Sequence, residues 1–157
     1  MRDGAMYDDE LRGLGKVIIA AAWLEAAIES LLAAADRPAG NGWKSNDGAG
    51  RKLRCLRDTV WENADKELVK EVYDWADRAA AVIRERNDTV KALMLYGDPH
   101  EYPGLRRFKG GEFVRIEVAY LEDLTTRIND VAGSVGPVGE RLSGEAGLAP
   151  EEGDEVA

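Results

Sequence analysis

The chain has 157 residues, 45% of them hydrophobic, and a net charge of −9. That is enough for one domain with a real core, and the wrong sign for a nucleic-acid binder that works through a broad basic surface. A single cysteine, Cys55, and a single histidine, His100, leave no intrachain disulfide and argue against a Cys/His zinc site or a Ser-His-Asp triad.

Met1 is followed by Arg2, Asp3 and Gly4 with no apolar run nearby, so no signal peptide is expected and a reducing cytoplasm is the default location. The first predicted element is a long helix over about Asp8 to Ala35. Leu11, Leu14, Ile18, Ala21, Leu24, Ile28 and Leu31 recur at spacings of three and four, and Asp8, Asp9 and Glu10 suit the first turn. Its run from Val17 to Leu24 is interrupted by Glu25 and falls short of a membrane span. Pro38 ends it.

Asn41 to Gly50 reads as a polar loop in which Trp43 folds back on the core. A shorter helix follows from about Ala49 to Trp61, with Leu53, Leu56 and Val60 inward and Asp47 as its expected N-cap. A third helix, capped by Asn63, runs to about Leu95. Leu68, Val72, Trp75, Ala79, Val82, Arg86 and Val90 form its stripe, which places Arg86 at the edge of the inward face.

Tyr96 to Gly111 carries Gly97, Pro99, Pro103, Gly104, Gly110 and Gly111 and reads as irregular. Phe113 to Val118 alternates apolar and polar, which predicts a short strand or half a hairpin. A last helix is expected over about Tyr120 to Val131, with Leu121, Leu124, Ile128 and Val131 inward. The reading is one mainly α domain, residues 1–132, an up-and-down helical bundle, followed by a disordered acidic Gly/Pro-rich tail, residues 133–157. From Glu140 onward six acids stand against one arginine, which is five of the nine net negative charges.

The chemistry-bearing stretch is Arg86-Asn87-Asp88-Thr89-Val90-Lys91, with Arg, Asn and Lys in little more than one helical turn. It resembles the signature of the HEPN superfamily, an Arg, a polar residue, three further residues and a His, with Lys91 in the His position. An Ala22-Trp23-Leu24-Glu25 core in the first helix and the long helix carrying the motif add to the resemblance, which covers roughly Tyr7 to Val131. The resemblance implies a small helical bundle, a symmetric homodimer with two motifs facing each other, and kinship with metal-independent endoribonucleases of toxin-antitoxin and defence systems. It implies RNA and a cognate antitoxin or other protein as partners, and neither cofactor nor metal. It assigns Arg86 to the phosphate, Asn87 to the polar position and Lys91 to the place of the catalytic His.

The physics favours that motif for RNA cleavage. Arg presents a planar fork to phosphate oxygens, and His titrates near neutrality. Lys91, with an ordinary pKa of about 10.4, is a poor general base at neutral pH. Residues five apart lie about 140° apart around a helix, so one motif does not aim both groups at one phosphate, whereas two at a symmetric interface can.

Each residue also has a plainer reading. Arg86 pairs with a carboxylate such as Glu25 on the facing helix, and Asn87 and Asp88 belong to a solvated face. Tyr96, Arg106 and Arg107, with Tyr102, form either an RNA-binding lip or a loop over the bundle end. Trp23, Trp61 and Trp75 are core or dimer interface. The function that follows is a HEPN-like, nucleic-acid-associated protein, an RNase or its degenerate relative; the rival is a non-catalytic helical protein-interaction module.

Overall fold

The computed structural model describes the backbone at residues 4–35, 43–96 and 106–147, and most side chains within those ranges. Five helices and one hairpin are formed there: α1 (Gly4–Ala35), α2 (Ala49–Asn63), α3 (Lys66–Tyr96), β1 (Arg106–Lys109), β2 (Glu112–Arg115), α4 (Val118–Gly133) and α5 (Val135–Gly147). The class is mainly α, as the periodicity predicts.

The core collects one stripe from each helix. Val17, Leu24, Ile28, Leu31 and Leu32 of α1 meet Leu53 and Leu56 of α2, Leu68, Val72 and Trp75 of α3, and Leu121, Leu124 and Ile128 of α4. Trp43, as expected, packs partly buried against this core. The indole N–H of fully buried Trp75 donates to the Val131 carbonyl at 3.0 Å, tying α3 to the C-terminal end of α4. With the Glu85–Arg127 pair further along, this contact sets α3 and α4 antiparallel. α1 packs on α4 so closely at Gly13 that an added Cβ would lie 3.0 Å from Leu121 Cδ1.

Three local expectations are corrected. Asn63 does not cap α3 but lies in the last turn of α2; the cap is Asp65, whose Oδ1 accepts from the Leu68 N–H at 2.8 Å. Asp47 does not cap α2 either. Its carboxylate turns back to accept from the Lys44 N–H at 2.7 Å and faces Arg51, and the N-cap is Gly48. Because α1 begins at Gly4, Asp8, Asp9 and Glu10 stand beyond its first turn.

The segment before the last predicted helix is more regular than expected. Arg106 and Arg107 lie in β1, opposite Arg115 and Val114 of β2. Lys109 and Glu112 close the hairpin around Gly110-Gly111, whose φ of 60° and 87° meet the positive-φ requirement of a two-residue turn. Those two glycines serve chain reversal and make no phosphate cradle. Residues 97–105 lie outside the described residues.

The reading of residues from 133 onward as a disordered tail is corrected as far as Gly147. α5 forms there and inserts Val138 and Leu142 into the core, while Arg141 pairs with Glu71 of α3. An i, i+4 apolar pair is enough once α1 offers a surface to receive it, even with Gly136, Pro137 and Gly139 in the first half. Leu142→Ala is expected to cost about 2 kcal/mol, the low end for a buried leucine. Urea unfolding followed by circular dichroism measures it, and a loss under about 0.5 kcal/mol, the scale of a surface change, would show that α5 adds nothing to the core.

Candidate functional site

The predicted motif sits in the C-terminal half of α3, where α1 and α4 flank it. Arg86 is half-buried, and its Nη2 donates to Glu25 Oε1 of α1 at 2.8 Å. Its Nε is enclosed without a hydrogen-bond partner. The carboxylate is the one the sequence offers as the plainer alternative. Both side chains keep some contact with water, so the pair holds register more than it adds stability.

The motif does not converge. Asn87 is half-buried, Asp88 is exposed, and among the described residues neither makes a side-chain hydrogen bond. Thr89 is fully buried and donates to the Glu85 carbonyl at 2.8 Å, a self-contained helical contact. Lys91 is exposed and makes no ion pair among the described residues; it lies about 140° around the helix from Arg86. Arg86 is thus drawn onto α1 while Lys91 points to solvent. The side chains of Tyr96, Arg106 and Arg107, and all of His100 and Tyr102, lie outside the described residues.

Sequence reasoning missed the residue next door. Glu85 receives both terminal nitrogens of Arg127 on α4, each at 2.8 Å, and the Tyr120 hydroxyl at 3.1 Å. Arg127 also reaches Asp123. The bidentate bond to Glu85 and then the contact with Asp123 push the Arg127 guanidinium up from its ordinary value against the opposing cost of burial.

Two buried charges were also missed, although both share an inward stripe. Glu10, four residues before Leu14 and seven before Val17, is buried and accepts from Arg115 of β2 at 2.8 Å, which fastens the hairpin to α1. That hydrogen bond raises the Arg115 pKa above its ordinary value. Lys52, four residues before Leu56, is buried with its ammonium on Glu29 and on the Ser45 carbonyl, the latter at 2.8 Å. Paired in this way, both charges meet the condition for lying inside a fold. Among the described residues no cluster of His, Cys, Asp and Glu has the makings of a metal site.

The outward side of α1 is the other unusual surface. Leu11 is 41% exposed, Ile18 50%, Ile19 61% and Trp23 65%. Gly15, Ala22, Ala26, Ser30 and Ala33 lie between Ile18 and Trp23 around the helix, with Glu29 inside that arc on the Ile18 side and Glu25 and Lys16 at its two edges. Asp8–Ala35 is long and apolar enough to cross a membrane by length and composition, and 44% of its most apolar window is buried inside the fold. Comparison of the chain with protein-family models, curated sequences and solved structures returns no match.

Proposed function

We propose that this chain is a non-cleaving helical interaction module of HEPN-like type, working in the cytoplasm as a homodimer joined through α1. The observation that carries the reading is the exposed apolar side of α1, where Ile18, Ile19 and Trp23 are each at least half exposed. A soluble bundle keeps such a helix only when something covers it.

A second copy fits by shape. In an antiparallel pairing about a two-fold axis between residues 20 and 21, Ile19 meets Ala22 and Ala26 meets Gly15, so small residues at the centre of the seam let the two helices approach. Glu25 stands three residues from Ala22 and seven from Ile18, so the Arg86–Glu25 pair borders this face, and pairing brings the two motifs toward each other.

The roles of these residues support a non-cleaving reading. Transesterification of RNA needs a group that takes a proton at neutral pH. Arg86 is paired with Glu25, and Lys91 is exposed about 140° around the helix from it. Binding surfaces remain, and partner capture is the use they support.

The experiment is a metal-free RNA-cleavage assay in EDTA, beside an Arg86→Ala variant, with the mass of each sample measured by sedimentation. The expected result is a dimer that leaves the RNA intact. Cleavage by the wild type that Arg86→Ala abolishes, with the dimer preserved, would replace this reading with that of a ribonuclease using Lys91 where the family signature has His.

A further inference from the structure

Where α2 turns into α3, Trp61, Ala64, Lys66, Val69, Lys70 and Tyr73 line an open cleft of about 590 Å³. Trp61 is 70% exposed, an unusual position for the most costly side chain to leave in water. Its ring sits 6.4 Å from that of Tyr73 at 41°, so the two form a corner with one apolar wall on each side. Arg57 lies over the Tyr73 ring and is itself paired with Asp77, which fixes that wall from behind.

Lys66 and Lys70 stand one helical turn apart on α3, and among the described residues neither has an ion pair. Arg12, Arg51, Lys52, Arg57, Arg86, Arg115, Arg127 and Arg141 have carboxylate partners; of the described basic residues that have none, Lys66 and Lys70 are the two that line this cleft. An apolar corner with two unpaired ammonium groups on its rim is complementary to an apolar anchor flanked by carboxylates. We infer that this cleft is a docking site for a short acidic segment of a partner protein, with an aromatic or aliphatic side chain seated between Trp61 and Tyr73 and its carboxylates on Lys66 and Lys70.

The charge pattern argues for a peptide over a nucleic acid. Glu62, Asp65 and Glu67 are exposed on the same corner. A continuous polyanion lying across it would meet these as well as the two lysines. Among the described residues, the only charged ones that line the cleft itself are the two lysines, so a short segment with two spaced acids around an anchor has its partners there, and exposed tryptophans of this kind are the side chains that dominate partner binding. The site deepens the interaction-module reading but shares no residue with the Arg86 motif or the α1 face, so its failure and theirs are distinguishable.

The test uses the full chain and a fluorescently labelled hexapeptide with a central Phe-Leu pair flanked on each side by Glu, followed by fluorescence anisotropy and by the Trp61 indole resonance in ¹H–¹⁵N spectra. Saturable binding that shifts that resonance is expected. It should weaken at least tenfold, about 1.4 kcal/mol, when the peptide glutamates become glutamine, and likewise in Lys66→Glu/Lys70→Glu and in Trp61→Ala. These positions are exposed, so the variants should keep the helical circular-dichroism spectrum, which is checked on the same samples. The inference is overturned if the peptide does not saturate at millimolar concentration, or if charge reversal leaves binding unchanged. It is overturned too if a 12-nucleotide oligouridylate moves the Trp61 resonance at lower concentration than the peptide. A chain ending at Gly147 that binds no differently supports a partner segment; one that binds at least tenfold more tightly would give the cleft to the chain's own acidic end.

Discussion

Trp75→Ala is expected to remove about 3–5 kcal/mol of stability. The indole is fully buried and touches the core at the level where α3, α4 and the start of α5 meet. Its N–H reaches the Val131 carbonyl, which also receives the backbone N–H and the hydroxyl of Ser134, at 3.2 and 2.8 Å. Truncation empties the cavity and strips one of three donors from the carbonyl that organises the α4–α5 corner. Against a typical total of about 5–15 kcal/mol, the variant should be partly unfolded at 37 °C. Trp75→Phe keeps most of the volume and loses the hydrogen bond, so its cost should be about 1–2 kcal/mol. Urea unfolding by far-ultraviolet circular dichroism separates the two, and equal losses would mean that the hydrogen bond rather than the packing is what Trp75 supplies.

The second large effect is on assembly. Placing carboxylates at the centre of the α1 face, in Ile19→Glu/Trp23→Glu, should convert a dimer to a monomer at concentrations a hundredfold or more above the wild-type dissociation constant. Two unpaired charges buried at an apolar interface account for about 3 kcal/mol or more. Because both side chains are exposed in the single chain, the stability of the monomer should change by about 0.5 kcal/mol or less. Sedimentation velocity over a dilution series without detergent reads both species. A wild type that stays monomeric at 100-micromolar order, where even weak interfaces populate a dimer, would remove the second copy as the cover for α1.

How much of this was legible in the sequence depends on the helix. In α4 the four residues expected to face inward, Leu121, Leu124, Ile128 and Val131, are the four that are buried, because every other position between Leu121 and Val131 is polar. In α3 the spacing from Leu68 to Val82 is equally unambiguous. α1 defeated the method in one respect. Apolar residues stand on all its sides, so periodicity selects no single arc; Leu11 and Ile18, expected inward, are exposed, while Val17, Ala20, Ala27 and Leu32 face the core. Trp23 and Trp61 are likewise outside the monomer's core, and Trp75 alone of the three is within it.

The candidate site was legible in part for a related reason. That Arg86 falls at the edge of a buried face and needs a carboxylate follows from spacing and from the cost of enclosing a guanidinium, and Glu25 is where the facing helix supplies one. The partners of Glu85 were not legible, because spacing within α3 says nothing about which residue of α4 lies across from it. α5 was hidden by composition: glycine and proline mask an apolar pair whose stability comes from the α1 surface it covers.

Glu85 and Arg86 are neighbours in the chain that hold different helices, one bound to α4 and the other to α1. The two ties are therefore unequal under attack. An anion arriving at Arg86 competes with Glu25 for the Nη2 donor, while the bidentate grip of Glu85 on Arg127 keeps α3 tied to α4. The occupant's apparent affinity is lowered by what displacing that carboxylate costs, and α1 stays seated by its apolar stripe.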